Sequence, residues 1–347
     1  MNSYLKLIAS CSMVVSTLGN FVIAQPAEKL VLRVADSFPG DSHWMVKNAT
    51  IPWMEEVTRR SGGMVTFQHF PAEQLGKTRD MLRLTQSGAV DIGYVAPSFI
   101  ADNTMPLTAV AELPGGFANA CQGTNAYLSL ATKGGILAEK DFAANGVRLL
   151  WAVTMPPYQI MTGNKKIESI KDLDGLKLRS AGASLEMTAR KLKSVPVRLA
   201  TPEIYDSLSR GTVDGLIFPF SSLFSYKLDK LVKYSTVEEN FGAIVAAYVI
   251  SEARWKSLPE SVRQVMAEAG IKVSQETCAV LDRDLQVDID RLKKSGMVTV
   301  SLPASDKQEL LSVFANVRSE WAESLNQRGK PGTQVLKAFE AAVQQGR

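Results

Sequence analysis

Histidine and cysteine are scarce in this 347-residue sequence, at two and three residues. Counts that small cannot furnish a multinuclear metal centre unless carboxylates do nearly everything, and they exclude a disulfide-dense scaffold. A dominant charge is missing too: 39 Lys and Arg against 35 Asp and Glu leave +4, too diffuse for a nucleic-acid binder or a disordered tail. No low-complexity tract, repeat array or flexible linker interrupts the chain. The sequence has no His-Glu-x-x-His helix, Cys-x-x-Cys pair, phosphate-binding glycine loop or dinucleotide fingerprint, so neither metal hydrolysis nor cofactor chemistry has a visible basis. Gly182-Ala183-Ser184-Leu185-Glu186 begins like a nucleophile elbow but lacks the final Gly and reads as a helix start. Adjacent carboxylates such as Glu55-Glu56 and Glu238-Glu239 point apart on a regular element and read as solvated surface. An unfamiliar secreted hydrolase stays open as the less favoured alternative to a binder; the reading is of a chain that is not an enzyme and needs no cofactor or metal.

What is present is an ordinary globular composition, 46% hydrophobic and 21% charged, at a length that favours two lobes over one. Residues 1–24 carry one early charge, Lys6, then an apolar run from Leu7 to Ile23 that ends in Val22-Ile23-Ala24. That is the pattern of a cleaved secretory signal. Ser10, Ser12, Ser16, Thr17, Gly19 and Asn20 break the run, which argues against the roughly 20 apolar residues of an anchor. Cys121 and Cys278 remain in the mature chain. An oxidising compartment permits them to pair, and two buried unpaired thiols are the alternative.

The mature chain reads as α/β. Leu30–Ala35 alternates as a strand does, Phe38-Pro39-Gly40-Asp41 breaks it, and a helix is expected from about Ser42 to the stop at Ser61-Gly62-Gly63. A strand at 64–70, a helix at 78–87 and a strand at 92–96 complete a βαβαβ order, which implies a largely parallel sheet. The second half repeats the phrase: Gly211-Thr212-Val213-Asp214 answers Gly88-Ala89-Val90-Asp91, and each precedes an apolar strand ending at Pro97 or Pro219. Two similar sheets whose strand ends face one cleft are the architecture of a ligand clamp. Further strands are expected at 147–152, 160–162, 176–179 and 195–199, with Thr201 as a helix cap before Pro202. Residues 259–295 form an almost unbroken helical pattern with Gly270 its main weakness; about 35 residues at 1.5 Å each reach roughly 50 Å, enough to brace both lobes.

Five motifs in order, Pro71-Ala72-Glu73-Gln74-Leu75-Gly76, Gly88-Ala89-Val90-Asp91, Leu173-Asp174-Gly175-Leu176-Lys177-Leu178-Arg179, Glu203-Ile204-Tyr205 and Gly211-Thr212-Val213-Asp214-Gly215, give the chain its resemblance to DctP-type solute-binding proteins of tripartite ATP-independent periplasmic (TRAP) transporters. The resemblance runs from about Leu30 to Ser295. It implies a two-lobed periplasmic binding protein: lobe I from residues 25–152 and about 242–280, lobe II from 153–241 and about 281–347, with a cleft between them and a long bracing helix. It also implies that Arg179 grips the carboxylate of a small organic acid, a role for which the planar, permanently charged guanidinium fork is suited. The partners implied are that ligand and the membrane subunits of a TRAP permease; presentation of the ligand to a membrane sensor kinase would use the same site.

Two departures from the family pattern bear on the ligand. Gln159 stands where several members carry a second Arg, and Phe218 precedes Pro219 where many place an Asn. Both tilt the expectation from a dicarboxylate or a densely hydroxylated acid toward a monocarboxylate with an apolar or aromatic body. Phe38, His43, Tyr94, Ser98, Tyr158, Phe220 and Tyr248 are further wall candidates, with ordinary core packing as the alternative for each. Glu73 is expected to have a structural or hinge role, since a direct contact would repel an anionic ligand.

Overall fold

The computed structural model describes residues 29–41, 43–100 and 104–346. The signal assigned to residues 1–24, and Ser42 as a helix start, lie outside these residues. Two mixed sheets carry the fold. The strands are β1 (Leu30–Ala35), β2 (Val65–Phe70), β3 (Ile92–Val95), β4 (Val147–Thr154), β5 (Gln159–Thr162), β6 (Lys177–Ser180), β7 (Val195–Arg198), β8 (Gly215–Phe218), β9 (Tyr234–Val237), β10 (Val245–Ser251) and β11 (Val298–Ser301). The first sheet has the order β2-β1-β3-β10-β4 and the second β11-β9-β5-β8-β6-β7. In the first, β1 pairs parallel with β2 and β3, as the βαβαβ reading requires. The expectation of a largely parallel sheet fails beyond that point, because β10 returns from the other half and inserts antiparallel between β3 and β4.

The repeated Gly-x-Val-Asp phrase has a shared local cause. Gly88 and Gly211 each take a left-handed φ, +76° and +71°, which ends a short helix and turns the chain into a strand. The aspartate that follows then ties the adjacent strand in register. Asp91 accepts from the Arg33 backbone N–H at 2.9 Å, and Asp214 accepts from that of Lys177 at 2.8 Å. The side chains of Arg33 and Lys177 reach back to the carbonyls of Gly88 and Gly211. One device therefore builds β1–β3 and β6–β8.

The helices are α1 (Ile51–Arg60), α2 (Met81–Gln86), α3 (Ala120–Ala131), α4 (Ala183–Lys191), α5 (Ile204–Ser209), α6 (Glu252–Ser257), α7 (Glu260–Lys294), α8 (Ala304–Gln327) and α9 (Gly332–Gln345). A π-helical turn at Val46–Thr50 leads into α1. None of the described helices is long and apolar enough to cross a membrane. Helix α7 is the expected 35-residue brace. Its first half packs on α1, α3 and β4; its second half adds Leu285, Ile289 and Leu292 to the core of the other sheet. Gly270 is the reason the first contact is close: a Cβ there would meet the Leu150 carbonyl oxygen at 2.0 Å. A disulfide joins Cys121 of α3 to Cys278 of α7 with Cα atoms 4.8 Å apart. Helix α8 packs on α4, while α9 lies on α3.

Two extended segments carry the chain between the sheets, one before β5 and one before β10. They run side by side, with Met155 N–H donating to Ile244 O and Tyr158 N–H to Gly242 O, both at 2.9 Å. The carboxyl ends of β1, β3, β6 and β8 meet around this double crossing.

Candidate functional site

Arg179 is placed by β6, paired parallel with β7 and β8, so its side chain starts from a strand held on both edges. It is fully buried. Nε donates to the Leu199 carbonyl at 3.1 Å and one terminal nitrogen, Nη2, to the Thr201 hydroxyl at 3.4 Å. The other, Nη1, is buried without a hydrogen-bond partner, and no carboxylate pairs with the guanidinium among the described residues. Thr201 begins a 3₁₀ turn without capping it by its side chain; contrary to the cap reading, its hydroxyl serves Arg179, and Glu203 bonds the Ala200 N–H instead. Burial draws the guanidinium down to about 10 from its ordinary 12.5, so it remains charged at neutral pH. A desolvated cation with an unused donor is costly on its own and suits an anion that supplies the missing partner.

Phe218, the last residue of β8, lies under this cation with its ring centre 5.5 Å from the guanidinium carbon. Beyond Phe218 is a cavity of about 40 Å³ between the two halves, room on the order of a few waters. Phe38, His43 and Tyr94 line it from the first sheet's side, Phe218, Thr201 and Tyr226 from the second, and Tyr158 from the crossing. No lining residue carries a charge. The wall is an aromatic chain: His43 stacks on Phe38 at 4.6 Å and meets the Tyr226 ring edge at 5.0 Å, and Phe38 leans on Tyr94 at 4.8 Å. Burial raises the phenols of Tyr94, Tyr158 and Tyr226, which keeps them neutral donors.

Five of the ten residues singled out from sequence therefore line one cavity: Phe38, His43, Tyr94, Tyr158 and Phe218. Arg179 sits directly behind Thr201 and Phe218. The other four lie off the lining, each with its side chain engaged elsewhere. Gln159 pairs opposite Phe218 in the sheet, but its amide donates to the Glu239 carbonyl and accepts from Thr236. Tyr248 stacks on Trp151 at 4.1 Å and gives its hydroxyl to the buried Asp36. Phe220 packs into the core of the second sheet. Ser98 hydrogen-bonds the Glu112 carboxyl. Glu73 is held by Thr78 and Lys77, in keeping with a structural role.

Sequence reading missed Tyr226, Thr201 as an arginine anchor, and Glu112. The density of aromatics after β8, at 218, 220, 224 and 226, was the available signal for Tyr226. Glu112 carried none, because a lone glutamate in an apolar stretch has no motif. It is buried where the crossing meets the first half, accepting from Val245 N–H at 3.3 Å, and burial lifts its carboxyl from 4.5 to about 8.

Residues 37–324 match the family model described as bacterial extracellular solute-binding protein, family 7 (DctP). The C4-dicarboxylate-binding periplasmic protein DctP of Rhodobacter capsulatus is 26% identical over 296 residues, 83% of this chain and 84% of that one. Among solved structures, a marine metagenome TRAP solute-binding protein specific for aromatic acid ligands, in complex with metahydroxyphenylacetate, superposes with a TM-score of 0.84 at 22% identity, covering 91% of this chain and 99% of that one. A TRAP solute-binding protein from Rhodoferax ferrireducens with copurified benzoate gives 0.82 at 24% identity, covering 91% and 98%. At those identities the superpositions establish the two-lobed α/β binding-protein fold.

Proposed function

The chain belongs to bacterial extracellular solute-binding protein family 7, and from that premise we propose that it captures a small organic monocarboxylate with an aromatic body in the periplasm and delivers it to a TRAP permease. The observation that carries this reading is the buried, partnerless Nη1 of Arg179 beside an uncharged cavity walled by rings. A carboxylate entering there gains a charge-assisted hydrogen bond and relieves the exposed cost of an isolated buried cation. A dicarboxylate would find no second cation, because the side chain at 159 is a glutamine already bonded to Thr236 and Glu239. The neighbours solved with metahydroxyphenylacetate and benzoate support a flat, singly charged ligand.

Lobe I is taken as residues 25–152 with about 242–280, and lobe II as 153–241 with about 281–347; the membership of β1–β4 and β10 in one sheet, and of β5–β9 and β11 in the other, supports that division for the strands, whereas α9 packs on α3 of lobe I and speaks against placing residues 332–345 in lobe II. A cavity of about 40 Å³ is too small for an aromatic acid, so loading requires the lobes to part and the wall to rearrange, after which contacts from both sides favour closure. No covalent step is involved. A thermal-shift panel of organic acids tests the reading, since a ligand that binds only the folded state raises its apparent stability. Aromatic monocarboxylates are expected to raise the melting temperature and to be recovered chemically intact after incubation. A panel in which only dicarboxylates or sugars stabilise the protein, or recovery of a modified acid, contradicts it.

A further inference from the structure

We infer that His43 is a specificity-determining residue that reads a neutral oxygen on the ligand, at the end of the ring away from the carboxylate, so that the preferred cargo is an oxygen-substituted aromatic monocarboxylate rather than a plain one. The inference rests on the reading above that Arg179 holds the acid group. His43 is 4% exposed. Its Nδ1 accepts from the Met45 backbone N–H at 3.1 Å, and an acceptor nitrogen carries no proton. The proton of the neutral ring is therefore on Nε2. Nε2 is buried and has no hydrogen-bond partner, while the ring itself lines the cavity. A buried N–H left unpaired loses its hydration without compensation, so a ligand acceptor reaching it restores what burial removed.

The position fits the far end of a ring. Arg179 lies behind Phe218, Phe218 faces Tyr226 at 6.3 Å between ring centres, and Tyr226 in turn meets His43. In order of contact, the two partnerless donors thus flank the Phe218–Tyr226 ring pair. The imidazole is pinned between Phe38 and Tyr226, which fixes the direction of its N–H. Burial also lowers its pKa to about 4, so the ring is uncharged at neutral pH and offers a hydrogen bond without a positive charge. A hydroxyl or ether oxygen suits that donor. A second carboxylate does not, because no lining residue is cationic and Asp36 lies next to Phe38, whose backbone N–H it accepts at 3.0 Å.

The test uses calorimetric titration of the mature chain with benzoate, 3-hydroxybenzoate, 4-hydroxybenzoate and benzene-1,4-dicarboxylate. Wild type is expected to bind the better hydroxybenzoate at least about tenfold more tightly than benzoate, and the dicarboxylate more weakly than either. His43→Phe keeps an aromatic ring against Phe38 but removes the donor; it is expected to erase the preference, bringing the affinities for the hydroxybenzoate and for benzoate to within about threefold of each other. A wild type without preference, or a variant that keeps it, overturns the inference while leaving the acid-binding reading intact. Binding of none of the acids overturns both. A second measurement is independent of how the variant folds: with only two histidines in the sequence, side-chain ¹⁵N spectra of wild type are readily assigned. They should show His43 protonated on Nε2, with that signal moving on addition of the hydroxybenzoate and not of benzoate. Protonation on Nδ1, or equal movement with both acids, contradicts the assignment.

Discussion

At the scale of single residues, the site is defined by polar atoms whose bonding is incomplete. Phe218 has two tasks, packing under the guanidinium and closing the cavity with a hydrocarbon wall. Phe218→Asn should weaken benzoate at least about tenfold relative to a small polar hydroxy acid such as lactate; an unchanged ratio in parallel titrations would show that the ring does not select. Glu112 gives a different signal. Its carboxyl is lifted from 4.5 to about 8 by burial, so the folded state keeps a proton that the unfolded chain releases. The stabilisation is fully present below about pH 4.5 and is lost as pH rises toward 8. Asp141, lifted by burial from 3.8 to about 6, contributes in the same sense over a lower window. Denaturant unfolding of wild type should therefore show falling stability between about pH 5 and 8, and Glu112→Gln should flatten the upper part of that slope. A variant with the wild-type slope would remove Glu112 as its source. Thr201 illustrates why such residues are hard to read from sequence: the pattern Thr-Pro-Glu signals a cap, and only the fold shows the hydroxyl turned to Arg179.

The secondary-structure elements were more legible. Alternation predicts β1, the strands expected at 147–152, 160–162 and 195–199 match β4, β5 and β7 closely, and the Gly-x-Val-Asp phrase marks the same turn in both halves because both glycines need φ > 0 and both aspartates bond a neighbouring strand. Strand direction was legible only where chain neighbours pair. The insertion of β10 between β3 and β4 depends on a partner more than a hundred residues away, which no local pattern encodes. Gly270 shows the limit from the other side. As a sequence feature it weakens a helix; in the fold it lets α7 approach the Leu150 carbonyl, which a Cβ would reach at 2.0 Å. Gly270→Ala, which would favour an exposed helix by about 1 kcal/mol, is instead expected to lower the melting temperature by several degrees. A raised melting temperature would mean that the helix-to-strand contact is not close.

For the molecule as a whole, two sheets are joined by a double crossing and spanned by α7, and the cavity is small enough that the proposed uptake of an aromatic acid requires an opened form. Small-angle scattering should find the ligand-free chain more expanded than the closed structure and more compact once a stabilising acid is added; identical radii with and without ligand would argue against jaw motion. The pairing of the halves was legible from the repeated phrase, whereas the cavity was legible only in part, since the side chain at 159 turns to Glu239 and that of Tyr248 to Asp36. The most direct test is calorimetric titration of an aromatic monocarboxylate into wild type and Arg179→Met, with the melting temperature of each ligand-free protein recorded alongside. Loss of the buried Arg179 guanidinium should weaken binding at least about a hundredfold while changing the ligand-free melting temperature little, because the cost of burying a charge without a counter-ion is removed together with its hydrogen bonds to Leu199 and Thr201. Affinity within about threefold of wild type would contradict the account.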